Sequence, residues 1–397
     1  MRWSLATTLV CLTLSASAAE PGLSVRQGQL LLRGKPYRGM GVNYFSLFYR
    51  TLKNPADTSY RLELAKLSKA NIPFVRFMAC GFWPVDWDLY QHNKKAYFAR
   101  LDDVIAAAEK NRIGLIPSLF WNMATVPDIV GEPMDQWGNV DSRTIAFMRN
   151  YTRELVTRYK DSPAVWGWEF GNEYNLHIDL PNAAPHRPPV WPTLKTAPQR
   201  SQRDDLTSRA MLTAYADFAR TVRLYDKHRI LITGNSIPRR SAYHNSLDRS
   251  WKPDSPEQFR KVLLRDNPSP YDTICVHLYP SAGGEYPRSA RNLAELIRMV
   301  QDDSVKAKKP LFIGEFGIRR SDSPEKDRQA FAALLHTVEA AKVPLSAIWV
   351  FDHAGQNKDW NVTFENNRKY MLALVGEVNQ RTKDQPETTT SPSSHKP

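Results

Sequence analysis

The chain has 397 residues and a formal net charge of +13 at pH 7, long for one domain on the usual prior but ordinary for a barrel with long loops. A basic surface of this kind can attract acidic glycans, anionic cell envelopes or nucleic acid. No basic cluster is interleaved with aromatics and no nucleic-acid motif occurs, so nucleic acid is set aside and the charge is read as a solvated surface.

In chain order, residues 1–19 come first (MRWSLATTLVCLTLSASAA). An early Arg, an apolar core and small residues before Glu20 read as a cleaved secretory signal. The apolar core is too short for a membrane anchor, so the expected location is secreted or periplasmic, with no stable membrane anchor. Eight apolar or β-rich runs bounded by turn residues follow: Tyr37–Asn43, Phe74–Met78, Gly114–Phe120, Val165–Phe170, Ile230–Thr233, Thr273–His277, Leu311–Glu315 and Ala347–Phe351. Between them, helical periodicity marks Arg61–Ala70, Tyr97–Asn111, Arg143–Lys160, Arg209–Asp226, Leu293–Gln301, Asp327–Ala341 and Phe364–Gln380, with a shorter helix over Pro256–Leu264. Alternation of strand and helix eight times over points to a closed parallel (β/α)₈ TIM barrel, with a doubly wound open sheet as the rival. The domain is expected to span residues 20–380, and 381–397, rich in Ser, Thr and Pro, to be a disordered tail. With Cys11 in the signal, Cys80 and Cys275 remain near the ends of the second and sixth strands. Those strands lie on opposite sides of a barrel, so two buried free thiols are expected instead of a disulfide.

Two glutamates stand at carboxyl ends of these strands: Glu173 in VWGWEFGNEYN and Glu315 in KKPLFIGEFGI. Distant in sequence, they meet only if the strand ends converge on one mouth, as they do in a parallel barrel. A pair of placed carboxyls is the minimum requirement of glycoside hydrolysis: one protonates the leaving oxygen, the other attacks or activates water. Further motifs fall on successive strands: Arg76 in VRF, Asn172 before Glu173, His277 and Tyr279 in CVHLYP, and Trp349 in AIWVFD. This ordered set resembles glycoside hydrolase family 5, the cellulase and β-mannanase family of retaining barrel glycosidases, over nearly the whole mature chain. The opening RQGQLLLRGKPYRGMGVNYF also looks like the family's entry, a short β-hairpin plugging the barrel's bottom, with Gly28-Gln29 and Gly34-Lys35 fitting tight turns.

The resemblance implies roles. Glu173 would be general acid and then base, and Glu315 the nucleophile. Arg76 and Tyr279 would keep Glu315 ionised and aimed, Asn172 would bond the sugar 2-hydroxyl, His277 would line the same subsite and Trp349 would floor it. Alternation along the fourth strand puts Glu169 on the face of Glu173, where it is read as a buried partner of Arg76. Trp166 and Trp168 alternate with those positions and are expected to pack on the helices. One departure bears on substrate: many family members carry a histidine after the third strand, where this chain has Trp121, which favours β-mannan over cellulose. Long segments Trp121–Asp141, Leu176–Leu206 and Ser236–Ser255 are expected to wall the cleft. Of the tryptophans on mouth-side loops (Trp83, Trp137, Trp191 and Trp251), Trp83 joins Trp121 as the better candidates for stacking sugars. No His-x-His or His-Glu-x-x-His arrangement occurs, so no metal and no cofactor is expected. The expected partner is an oligo- or polysaccharide, and the chain is expected to be a monomer. A non-catalytic carbohydrate-binding protein on the same barrel is the alternative, because fold does not carry function by itself.

Overall fold

The computed structural model describes residues 21–281, 286–287 and 290–384. The signal expected at 1–19, with Cys11, lies outside the described residues. The last helix, Tyr370–Asp384, runs four residues into the expected tail, and the rest of that tail also lies outside them.

The entry segment forms β1 (Leu23–Arg26), β2 (Gln29–Leu32) and β3 (Lys35–Pro36), paired antiparallel in that order. Its turns are Gln27-Gly28 (φ 53° and 82°) and Arg33-Gly34 (φ 52° and 77°), one residue earlier than expected at each. Two successive positive φ values match the twist of the flanking strands, and glycine takes the second without a Cβ clash. Leu23 and Leu30 turn inward onto Phe74, Ile116, Ile230 and Phe312, so the hairpin closes the barrel's lower end.

Eight parallel strands form a nearly closed barrel: β4 (Gly39–Asn43), β5 (Phe74–Met78), β6 (Gly114–Phe120), β7 (Gly167–Gly171), β8 (Ile230–Ile232), β9 (Ile274–Leu278), β10 (Leu311–Phe316) and β11 (Leu345–Ile348). Pairing runs β8-β7-β6-β5-β4-β11-β10-β9. Across the β8/β9 seam, the Asp272 N–H donates to Leu231 O (3.1 Å) and the Asp272 carboxylate accepts from Leu231 N (2.7 Å). A side chain there does what a ladder does elsewhere. Cys80 and Cys275 are both buried and free.

Differences from the expected elements have local causes. β4 starts at Gly39 because Tyr37 still belongs to the hairpin, donating its N–H to Leu30 O (3.0 Å). β11 ends at Ile348, so Trp349 stands one residue beyond the regular strand; its N–H still reaches Phe316 O (2.8 Å). The final helix starts at Tyr370, not Phe364, because Thr363 Oγ1 accepts from the N–H groups of Glu365 and Asn366, a side-chain turn that competes with helix. The other barrel helices are Tyr60–Lys69, Lys94–Asn111, Arg143–Tyr159, Ser208–Tyr225, Pro256–Arg265, Leu293–Ala307 and Pro324–Ala340. Asn93, Ser142, Thr207, Ser255, Asn292 and Ser323 cap the last six with side-chain oxygens, each cap contributing about 1 kcal/mol.

Trp168 packs outward as expected, its Nε1 donating to Asp226 Oδ2 (2.9 Å) beside the Ser208–Tyr225 helix. Trp166 does not. It lies in the lower barrel cluster, 5.4 Å from the Tyr37 ring and 5.8 Å from Phe74. Regular pairing of β7 begins at Gly167, and Val165 holds an isolated bridge to Leu115. The alternation that fixes Trp168 therefore does not reach back to Trp166, which swings beneath the sheet.

Candidate active site

Arg76 is the hub of the mouth. It lies inside the barrel on β5 with no exposure, and every face of its guanidinium is used. Nε reaches both Glu169 oxygens (2.9 Å each), Nη1 reaches Asn43 Oδ1 and Glu315 Oε1 (2.9 Å each), and Nη2 reaches Asn172 Oδ1 (2.8 Å). Its plane lies over the Trp121 ring, 4.6 Å from the centroid. Burial works against the charge, but Glu169 and Glu315 outweigh it and leave the guanidinium pKa raised. Arg76 is thus at once the ion-pair partner of Glu169 and the support of Glu315.

Glu315 is the penultimate residue of β10 and is almost fully buried. It accepts from Arg76 and from the Tyr279 hydroxyl (2.7 Å). Glu173 follows β7, with its side chain 29% exposed to the mouth. Its Oε1 lies 2.8 Å from His277 Nδ1, and the same nitrogen is 3.5 Å from Glu315 Oε1. Burial pushes the His277 imidazole down to about 4, so it sits neutral between two carboxyls. Ligand atoms of Glu173, His277 and Glu315 all lie within 4.8 Å of one another. This spacing suits a carboxyl pair sharing protons, and the same three groups also have the donor set of a small cation site.

Burial raises the carboxyl pKa of Glu173, with Ser236, Arg76 and His177 pulling back. Burial also raises Glu315, which Glu173 pushes further while His277, Arg76 and Tyr279 oppose. The two titrate as a coupled unit. We assign the negative charge to Glu315, because it takes two short donor contacts, one from a fixed cation, whereas the Glu173 carboxyl faces a neutral imidazole. A carboxyl whose folded pKa is raised contributes most stability below its unfolded value and loses it as pH rises through the folded one. Glu173→Gln, neutral throughout, is therefore expected to melt above wild type at pH 7 and level with it at about pH 4; equal melting temperatures at pH 7 would contradict the burial argument.

Above the carboxyls lies a cavity of about 410 Å³ walled by Phe45, Phe82, Trp121, Trp349, His353 and Trp360, with Asn172 and Tyr279 at its polar side. Trp121 and Trp349 lie nearly parallel, 6.1 Å apart at 26°, and Trp349 Nε1 is fixed by Gln356 Oε1 (2.8 Å). Of the nine site residues read from the sequence, Glu173, Glu315, Asn172, Tyr279, Trp349 and Trp121 line this cavity. Arg76 and His277 lie fully buried behind the carboxyls, so His277 contacts Glu173 instead of lining the space. Trp83 does not line it but packs edge-on behind the Phe82 wall at 4.9 Å and against Trp191 at 5.0 Å. Trp137 is fully buried against Phe120 and Phe170, while Trp191 and Trp251 are about half exposed. The walls are braced across loops: Arg200 makes a two-pronged contact with Asp128 (2.7 and 2.8 Å), joining the segments expected at 176–206 and 121–141.

The model of the cellulase family, glycosyl hydrolase family 5, matches residues 37–355. The chain belongs to that family. Mannan endo-1,4-beta-mannosidase F of Aspergillus clavatus is 36% identical over 80 residues, 19% of this chain and 18% of that protein. The probable mannan endo-1,4-beta-mannosidase A of Aspergillus flavus is 28% identical over 178 residues, 39% of this chain and 45% of that protein. The chain thus spans about a fifth to under half the length of these curated relatives. Among solved structures, the endo-1,4-beta-mannanase from Rhizomucor miehei superposes with a TM-score of 0.64 at 18% identity, covering 92% of this chain and all of that one. The endo-beta-1,4-mannanase from Thermotoga petrophila gives 0.63 at 16%, covering 89% of this chain and 79% of that one. These likenesses establish a shared barrel.

Within this family 5 barrel, several contributors went unread in the sequence. Asn43 links Arg76 to Gly314 O (2.8 Å); a polar residue closing an apolar strand was the available signal. Trp360 and Gln356 come from the segment after β11, folded back by the Phe351–Val362 bridge so that Trp360 meets Tyr279 edge-on at 5.1 Å. Glu173 itself has a left-handed backbone (φ 54°), an arrangement that costs on the order of 1 kcal/mol for a residue with a Cβ. Its N–H is held by Gly234 O (2.8 Å). Gly234 is also left-handed (φ 75°), and a Cβ there would lie 1.8 Å from Gly171 O. Only glycine lets the β8 loop press close enough to fix Glu173.

Proposed function

We propose that the chain is an exported, retaining glycoside hydrolase that cleaves β-1,4-linked mannan. The observation that carries the mechanism is the carboxylate separation. Glu173 and Glu315 oxygens lie within 4.8 Å, near the roughly 5–5.5 Å of enzymes that form a glycosyl-enzyme and short of the ~6.5–9.5 Å that leaves room for a water between them. Glu315, charged, attacks the anomeric carbon while Glu173 gives its proton to the departing glycosidic oxygen. Glu173, now a carboxylate, takes a proton from water, whose oxygen attacks from the face the leaving group vacated, opposite Glu315, and displaces that carboxylate. Glu173 ends protonated and Glu315 ionised as they began, the first proton having left on the departing sugar and the second having come from water. Asn172, held by Arg76, presents its amide N–H groups to the sugar 2-hydroxyl, and the Trp349 face supports the ring.

The substrate rests on the names of the relatives, which are mannan endo-1,4-beta-mannosidases, and on the Trp121 wall in place of a histidine. The exported location rests on the apolar leader 1–19, and the catalytic unit is taken as 20–380. The test is reducing-end release from β-mannan, β-1,4-glucan, mixed-linkage glucan and xylan, run with EDTA so that a cation at the three ligating groups shows itself. Mannan is expected to be cleaved and EDTA to leave the rate unchanged. First-formed products are expected to keep the β-anomeric configuration by NMR; inverted products would remove the two-step mechanism. Binding of mannan without cleavage would favour the carbohydrate-binding alternative.

A further inference from the structure

At the end of the barrel away from the mouth, a cavity of about 380 Å³ opens under the strand starts, bounded by Leu32 of the hairpin, Pro73 before β5, Ile113 before β6 and Ala164 before β7. Its volume falls within the range of about 300–1,000 Å³ of small-ligand sites. Four cations line it: Arg33, Arg38, Arg112 and Lys383. Among the described residues none of the four side chains makes an ion pair or a hydrogen bond. One carboxylate, Glu109, also lines the cavity, and it already accepts from Ser162 Oγ (2.6 Å). Elsewhere on this basic chain arginines are commonly matched, as in Arg61–Asp103, Arg143–Glu132, Arg158–Asp102 and Arg203–Asp135. Four unmatched cations around one concavity are a local excess, and they repel one another unless an anion sits among them.

The floor of the cavity is of a different character. Trp166 and Tyr37 meet edge-on at 5.4 Å and both line the space. The Tyr37 hydroxyl oxygen is buried out of reach of solvent, so the Tyr37 part of the floor offers ring carbon. A bare inorganic anion would meet the cations and leave this floor unused. A pyranose ring bearing a carboxylate uses both: its apolar C–H face against the aromatics, and its charge toward the guanidinium groups, whose planar forks match carboxylates.

We propose that this cavity is a second carbohydrate site, which takes a uronate-bearing segment of an acidic glycan. It stands apart from the chemistry of the mouth and does not require that the mouth be catalytic. The net charge of +13 is then more than a solvated surface, because part of it is gathered where it can hold an anionic matrix while the mouth faces elsewhere.

The experiment is calorimetric titration of the full chain with trigalacturonate at low salt, beside inorganic phosphate, a neutral mannotriose and a single-stranded DNA oligomer. Arg38→Ala and Arg112→Ala are each expected to weaken uronate binding by about tenfold, the value of one charge-assisted contact, with unchanged melting temperatures showing the fold intact. Arg112→Lys, which keeps the charge, is expected to recover most of that loss. Affinity is expected to fall as salt rises, since Arg33, Arg112 and Lys383 are exposed and Arg38 is half-buried. Wild type that ignores trigalacturonate, or variants that bind it as wild type does, would overturn the proposal. So would phosphate or DNA binding as tightly as the uronate, since the aromatic floor would then contribute nothing.

Discussion

Replacing Glu315 with glutamine is expected to lower kcat on the cleaved glycan by about 10⁴–10⁶-fold, the range seen when a group that acts as a unit with its partners is removed, while binding of the intact glycan persists. The side chain keeps its size, and its one amide oxygen can still accept from Arg76 Nη1, which bonds Oε1 at 2.9 Å, while the amide N–H group takes the place of Oε2 and can donate to the Tyr279 hydroxyl oxygen, now 2.7 Å away. What disappears is the negative charge that, in the proposed mechanism, attacks carbon. Glu173→Gln should behave differently across substrates. A sugar with a good leaving group needs no proton, so that variant is expected to form the glycosyl-enzyme and then stall, whereas Glu315→Gln fails at the first step with every leaving group. Measuring both variants on an activated aryl glycoside and on polymer separates the roles. Residual activity of Glu315→Gln within tenfold of wild type would remove it as nucleophile.

Arg76→Met is expected to cost about 3–5 kcal/mol of stability at pH 7, because it leaves the carboxylates of Glu169 and Glu315 buried without their counter-charge. Both are almost fully excluded from solvent. Stripped of the cation that opposes its upward shift, the Glu315 carboxyl binds a proton more readily in the folded state. A raised folded pKa contributes stability below the unfolded value and loses it as pH rises, so the variant's deficit should shrink toward about pH 4 and be greatest near neutrality. Adding Glu169→Gln to Arg76→Met removes one of the stranded charges and is expected to recover part of the loss. Denaturant unfolding at two pH values tests this, and a deficit independent of pH would show that lost packing on Trp121, not stranded charge, is what Arg76 supplies.

Two levels of the molecule were legible to different depths in its sequence. The eight strand-helix repeats were readable because each strand is a short apolar run between turn residues and each helix carries an apolar stripe, properties local to a dozen residues. The helix starts at Arg143 and Pro256 were read correctly, whereas the one read at Tyr97 lies three residues late, because Asn93 caps the helix by accepting from the N–H of Ala96 and starts it at Lys94. From parallel strands alone it follows that Glu173 and Glu315 share one mouth. What lies beyond a dozen residues was not readable. The alternation that placed Trp168 failed for Trp166, because pairing of β7 with its neighbours starts one residue later and the hairpin offers that ring a cavity to fill. Asn43 as a second anchor of Arg76, the return of Trp360 over Tyr279 and the departure of Trp83 from the cavity are set by loops whose course depends on contacts far along the chain. Composition by itself determined a basic chain, and the order of its residues a parallel barrel with a carboxyl pair at one mouth. The family resemblance implied that Arg76 holds Glu315, but tertiary structure alone decided that Glu173 is left to a neutral imidazole, because a pKa is set by burial and by neighbours within a few ångströms, and neither quantity is written in the order of residues.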